Sequence, residues 1–423
     1  MQYFTAIVIS VISVGCMLWI WSAPSSATKN LVFQDYQNVD NFKDNQELDQ
    51  VRLLKIATEN AENNTDARVE AILALVGHPQ ELDLALVVPE LATLAVDREP
   101  LVAAAAGIVL SRIGSSGAPH VRSLVESGNA RMIAAGCAAL KEMGGAEEYL
   151  ELIRAWLKDL DPNTRRRALF ALQGPNAASL PLLPEIIEAL PLPTHLTIPE
   201  YFNVQLMACR VIINLGPEAI DAADALLELH NNGIPSVRSW AAHALGAVGP
   251  TTNINTPELL AGNLDAFLYA DKQRNLLGLA ALGPEALPFA DRVREVMNDP
   301  AKRVMPHAAY ALWRITGETE EPFQKLKSLL RDLDHVSDSI ELIGIMEAEA
   351  APFVSALIGI LNDTQSEQHE NAIIALGNIG AAAAPAIPAI EPFTRPGKHD
   401  ALSRFYARDA IRKINLAQTN KDQ

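Results

Sequence analysis

The chain has 423 residues, 49% of them hydrophobic and only 5% aromatic, with a formal net charge of −17. That length suits two or three ordinary domains or one long repeat array, and a mix led by alanine and leucine suits close helix packing better than sheet. The acidic balance excludes sequence-independent nucleic-acid binding, which needs clustered Lys and Arg against phosphates; the one dense basic cluster, "TRRRA" at 164–168, reads as a solvated helix start.

Residues 1–27, "MQYFTAIVISVISVGCMLWIWSAPSSA", carry no Asp, Glu, Lys or Arg. Thr5 to Trp21 is almost wholly apolar, and Ser25 and Ala27 suit signal peptidase. The segment resembles a secretory signal peptide cleaved after Ala27, although its start has no Lys or Arg. Retention as a single membrane anchor and a degenerate lipobox at "SVGC" (13–16) stay open. In each version the body leaves the cytosol, to a periplasmic or secreted location. Residues 28–48 are polar and rich in Asn, Gln and Asp, as in a linker.

From residue 49 onward one pattern recurs. An Arg is followed by small residues three and four positions later, a Leu-like residue at seven, and a closing Gly. "ARVEAILALVG" (67–77), "ARMIAAGCAALKEMG" (130–144), "TRRRALFALQG" (164–174) and "SVRSWAAHALGAVG" (236–249) show it. "LVAAAAGIVLSRIG" (101–114), "VQLMACRVIINLG" (204–216), "KQRNLLGLAALG" (272–283), "RVMPHAAYALWRITG" (303–317) and "QHENAIIALGNIG" (368–380) drift from it, and "HVSDSIELIGIME" (335–347) fits weakly. "LSRFYARDAIRKI" (402–414) closes the series, leaving 416–423 as a tail. The unit is about 34 residues long and recurs about eleven times.

A second amphipathic segment precedes each copy, as in "LPFADRVREVMND" (287–299) and "APFVSALIGILND" (351–363), with apolar residues at three- and four-residue intervals. Thr256 is placed to cap one such helix with Pro257 at its first position, and "GPEA" follows a closing glycine twice. No stretch alternates as a strand would. The small residues let the second helices of adjacent copies approach closely, and stacking buries one continuous core.

The turn Asp, the following Arg, "AAxAL" and the glycine resemble the HEAT repeat family over about residues 49–415. "DLDPNTRRRALFALQG" and "PSVRSWAAHALGAVGP" are the clearest copies. The resemblance implies an all-α fold, a right-handed α-solenoid of about eleven helix–turn–helix repeats with second helices lining the concave face. It also implies that turn Asp and helix-start Arg residues pair along the stack. Arg68, Arg131, Arg165, Arg238, Arg274 and Arg404 are expected to form that ladder, with Asp66, Asp161 and Asp271 suited as partners.

The sequence gives little support to catalysis. His-Glu occurs once, at His369–Glu370, too few for the paired irons of the deoxyhypusine hydroxylase type. HEAT-like DNA glycosylases need a basic groove. A bilin lyase-type enzyme or small-ligand binder stays open as the alternative. There is no CxxC or CxxCH; Cys137 and Cys209 sit in alanine-rich helical patterns, and the nine histidines show no metal-binding pair. No cofactor or metal is expected.

What remains is a surface. Taking the register Arg as zero, positions one, five and nine project from the second helix towards the concave face. This gives Arg166, Phe170, Arg210, Asn214, Ser239, His243, Tyr310, Arg314, Glu370 and Asn378 as a stripe for a protein partner, since aromatics and Arg anchor interfaces. The stretch "PLPTHLTIPEYFN" (191–203) widens the step from Gly174 to Gly216, so it reads as a loop offering His195, Tyr201 and Phe202. The expected function is a non-enzymatic, exported scaffold binding protein; a membrane enters only if the N-terminal segment is retained.

Overall fold

The computed structural model describes residues 50–58, 65–75, 82–95, single positions between 97 and 140, and 149–421 apart from 174–176, 192–198, 267, 300–302, 396–398 and 400. The expected signal or anchor segment and the linker of 28–48 lie outside the described residues. Two compact units divide the chain, Met1–Val109 and Leu110–Gln423.

In the first unit, α1 (Gln50–Thr58) packs against α2 (Thr65–Ala74) and α3 (Leu84–Leu94). Asp83 caps α3, its carboxylate accepting from the amides of Ala85 and Leu86. Arg68 is buried at 4% exposure. Its Nε donates to the Ala57 carbonyl at 2.8 Å, and its guanidinium grips the Asp97 carboxylate.

The second unit is a stack of helix pairs. In chain order its helices are α4 (Leu150–Leu157), α5 (Pro162–Ala171), α6 (Leu183–Glu188), α7 (Pro199–Leu215), α8 (Ala223–Asn232), α9 (Pro235–Val248), α10 (Thr256–Gly262) and α11 (Tyr269–Leu282). They continue as α12 (Ala290–Asn298), α13 (Met305–Thr316), α14 (Glu320–Leu329), α15 (Val336–Ile345), α16 (Val354–Asn362), α17 (His369–Ile379), α18 (Ile387–Ile390) and α19 (Ala401–Lys421). The described residues contain helices and turns and no strand. The odd-numbered helices are the second helices of the repeats, and each packs on the next from α5 through to α19. The expected tail from 416 continues α19 as far as Lys421.

Local chemistry sets these boundaries. Asp161 caps α5 by accepting from the Asn163 and Thr164 amides, with Pro162 in the first turn. Thr256 does not cap as expected: it is fully buried and already helical, while Asn255 stands at the cap position and bonds Glu258 at 2.7 Å. Gly216, Gly249, Gly283, Gly317 and Gly380 close their helices with φ between 57° and 90°, a region that costs a side chain. After Gly216 and Gly283, "GPEA" forms a 3-10 turn leading to the next first helix.

The weak copy at 335–347 is a full member. Glu347, with φ 50°, occupies the position the glycines hold elsewhere and splits the double-length step from Gly317 to Gly380.

The core is continuous from Ala242 to Ile414, through Leu260, Leu312, Phe353 and Leu376. Burial at this scale is the main favourable term, at about 25 cal/mol per Å² of apolar surface. Adjacent second helices meet through small residues. A Cβ on Gly246 of α9 would stand 2.2 Å from the Gly278 oxygen of α11, and Gly377 of α17 faces Ala410 of α19 in the same manner. Among the described residues His369–Thr394 is long and apolar enough to span a membrane by length and composition, but its most apolar window is 50% buried in the stack.

Candidate functional site

Two rungs of the expected arginine ladder are present, each reaching into the following repeat. Arg68 pairs with Asp97, and Arg238 Nη2 donates to Asp271 Oδ2 at 3.4 Å. Burial raises the Asp271 pKa, and the Arg238 charge opposes that rise. Arg404 is buried and donates to the His399 carbonyl. Arg165 lies half-buried in the first turn of α5, and Arg131 lies outside the described residues.

Arg274 is not a rung. Its guanidinium carbon sits 3.6 Å from the centre of the Trp240 ring on α9. The register in this copy is two residues out: Trp240 on α9 and Arg274 on α11 stand at the same distance before their closing glycines, Gly249 and Gly283, while His307 on α13 and Glu341 on α15 lie further along the stack. The position equivalent to Arg238 is therefore Lys272.

Around this column the second helices carry a polar network. Arg210 on α7 reaches towards the same Trp240 ring, at 5.5 Å, and is exposed. The Trp240 and His243 rings stack at 6.4 Å. Gln273 Nε2 lies 2.7 Å from His307 Nε2, so the amide donates there and the ring proton sits on Nδ1, which faces Asp338 at 3.8 Å. The Tyr269 hydroxyl donates to Asp338 Oδ2 at 2.6 Å.

Electrostatics follow from this packing. Burial, reinforced by Arg274 and His307, depresses the His243 pKa to about 3. Burial depresses His307 to about 4, with Asp338 pulling the other way. Burial lowers Arg274 to about 10 against the pull of Glu341. Glu341 is raised, by burial and then by Asp338, with Arg274 opposing. Both histidines are neutral at pH 7.

The remaining stripe residues divide. Arg166, Phe170 and Tyr310 are half-buried, and Arg314 is exposed with its guanidinium 5.7 Å from the Trp313 ring. Asn214 is exposed and donates to the Gln173 carbonyl at 2.7 Å. Glu370 accepts from the Ser403 hydroxyl of α19, and Asn378 accepts from Lys413 at 3.5 Å. Ser239 does not project: it is 2% exposed, its hydroxyl turned back to the Ser236 carbonyl, because this face of α9 packs against its neighbours.

Of the expected recognition loop, residues 199–203 are helical and 192–198 lie outside the described residues. α7 begins at Pro199, which favours a first turn, so Tyr201 and Phe202 are helical, and His195 lies outside the described residues.

The sequence reading missed Trp240, Arg274, His307 and Glu341 as a set, and with them Tyr269, Gln273 and Asp338. Part of the signal was available: Trp240 and Arg274 share one position of the repeat, hidden by drift at 272–283, whereas His307 and Glu341 stand at other positions and join the set only through packing.

Repeats that join by Arg–Asp rungs and pack second helix on second helix decide the fold type. The fold is that of an α-solenoid built of helix–turn–helix repeats, as the HEAT resemblance implies. No family model matches the chain, and no curated protein does. Among solved structures, an engineered protein is 18% identical, covering 87% of this chain and 99% of its own, with a TM-score of 0.33. Yeast importin-beta is 13% identical, covering 87% of this chain and 57% of its own, with a TM-score of 0.44. The solenoid thus spans little more than half of that molecule, and so loose a likeness carries no function across.

A depression of about 1070 Å³ lies between the α14–α15 turn and α16, lined by Arg331, Leu333, Ser355, Gly359, Gln365 and Gln368. It is separate from the cation–aromatic column. Among the described residues no group of three or more His, Cys, Asp or Glu is arranged to hold a metal.

Proposed function

We propose that this solenoid is a non-enzymatic, exported scaffold that holds a protein partner on its second-helix face, between α7 and α15. One observation carries the reading. Arg210, Arg274 and Arg314 stack on aromatic rings and, among the described residues, make no ion pair, whereas Arg68 and Arg238 are tied to carboxylates. Cations held on rings with free donors suit an interface anchor. Export rests on the charge-free segment 1–27 followed by "SAPSSA".

The test is paired charge reversal, Arg210→Glu with Arg314→Glu, measured as affinity for the partner captured by the wild-type chain. Both side chains are exposed, so the melting temperature should hold. Affinity should fall by about a hundredfold, since two anchor contacts are lost. Unchanged affinity places the partner elsewhere.

A further inference from the structure

Arg274 is a cation without an ion-pair contact. Among the described residues it makes no hydrogen bond, and no carboxylate comes within ion-pair distance of it. Its packing is against Trp240, at 3.6 Å. A guanidinium carries five N–H donors, and those of Arg274 are not sealed from water, so they are open to an incoming acceptor.

The groups around it leave these donors unoccupied. Arg210 brings a second positive charge to the same ring at 5.5 Å. His243 Nδ1 is out of reach of solvent and has no hydrogen-bond partner. The Asp338 carboxylate is engaged by the Tyr269 hydroxyl. Glu341 feels Arg274 from α15 but does not bridge to it. Two guanidinium charges offset by one nearby carboxylate leave a site that takes a single negative charge.

We propose that Arg210, Trp240 and Arg274 form a seat for a carboxylate side chain of the partner, so that the partner docks through an acidic segment. This rests on the reading of the second-helix face as the docking surface. A monoanionic carboxylate fits better than a dianionic phosphate, because Glu341 already neutralises part of the site. The chain's −17 charge does not forbid it, since charges more than about 8 Å apart are largely screened at physiological salt. Arg forks carboxylates in bidentate fashion, and both arginines present unoccupied donors.

The probe is a fluorescein-labelled Gly-Ser peptide carrying spaced glutamates, with a glutamine version as control, read by anisotropy on the full chain. The glutamate peptide should bind about tenfold tighter than the glutamine peptide, and Arg274→Gln should erase that difference. Arg210→Gln, at an exposed position, gives the same readout should Arg274→Gln fail to fold. Glu341→Gln should tighten binding by about threefold by removing the competing charge.

Equal binding of the two peptides, or full binding by Arg210→Gln and Arg274→Gln, overturns the seat. Displacement by inorganic phosphate as effective as by free glutamate overturns the preference for carboxylate. If the peptide fails while Arg210→Glu with Arg314→Glu still releases the captured partner, the docking face stands and only the seat is wrong. If both fail, the face itself is wrong.

Discussion

The Arg274 guanidinium lies 3.6 Å from the centre of the Trp240 ring, joining α11 to α9 by a contact that is neither ion pair nor hydrogen bond. Such a stack is worth about 0.5–2 kcal/mol depending on desolvation. Trp240→Leu, Arg274→Met and the double variant, compared by urea denaturation, should show a coupling of about 1 kcal/mol. Strictly additive losses would mean that the stack contributes nothing.

Glu347 is the one closing residue of a described second helix in this stack that holds a positive φ without being glycine. A side chain in that region costs about 1–2 kcal/mol. Glu347→Gly should stabilise the solenoid by about 1 kcal/mol, offset in part by the added freedom of the unfolded chain. The denaturation midpoint reads this directly, and a drop in stability would mean that the Glu347 side chain does more than tolerate its position.

Gly246 and Gly278 set the closest approach between second helices, where an added Cβ would fall 2.2 Å from backbone. Gly246→Ala should cost about 1–3 kcal/mol or more by overpacking. Gly359→Ala is the control: nothing lies within 4 Å of its Cβ position, inside α16. There, replacing helical glycine should gain about 0.5–1 kcal/mol. Equal effects from the two substitutions would contradict the close crossing.

His243 and His307 make stability depend on pH. Their folded pKa values, about 3 and about 4, lie below the ordinary value near 6.5. The unfolded chain therefore takes up protons that the folded protein refuses. Stability is full above about pH 6.5 and falls as pH drops towards about 4. Each histidine contributes up to about 1.4 kcal/mol per pH unit in that window. His307→Gln should flatten the loss between pH 7 and pH 5 seen in urea midpoints; an unchanged slope would show that His307 protonates freely in the fold.

The repeat was legible in the sequence because its grammar is a packing requirement. Glycine closes a helix with positive φ, and small residues permit close crossing, so both recur at fixed spacing. The weak copy was harder to read because Glu347 tolerates a conformation that usually demands glycine. Arg238 and Arg274 each precede the small residues of their copy, yet one pairs with Asp271 and the other stacks on Trp240. A two-residue slip in one copy separates these fates, and only packed neighbours reveal it. Ser239 was misplaced for a related reason: spacing gives an angle around the helix, not which neighbours cover it. Tyr201 and Phe202 looked like loop residues because prolines surround them, though Pro199 starts a helix.

The most direct test of the docking face is site-specific photo-cross-linking. A photoreactive phenylalanine analogue replaces Tyr310, on second helix α13, or Ser328, exposed on first helix α14. Each protein is irradiated with the cell extract in which the chain is native. One dominant protein adduct is expected from position 310, lost when Arg210→Glu is added, and none from 328. The same adduct from both positions, or from 328 alone, would contradict the docking face.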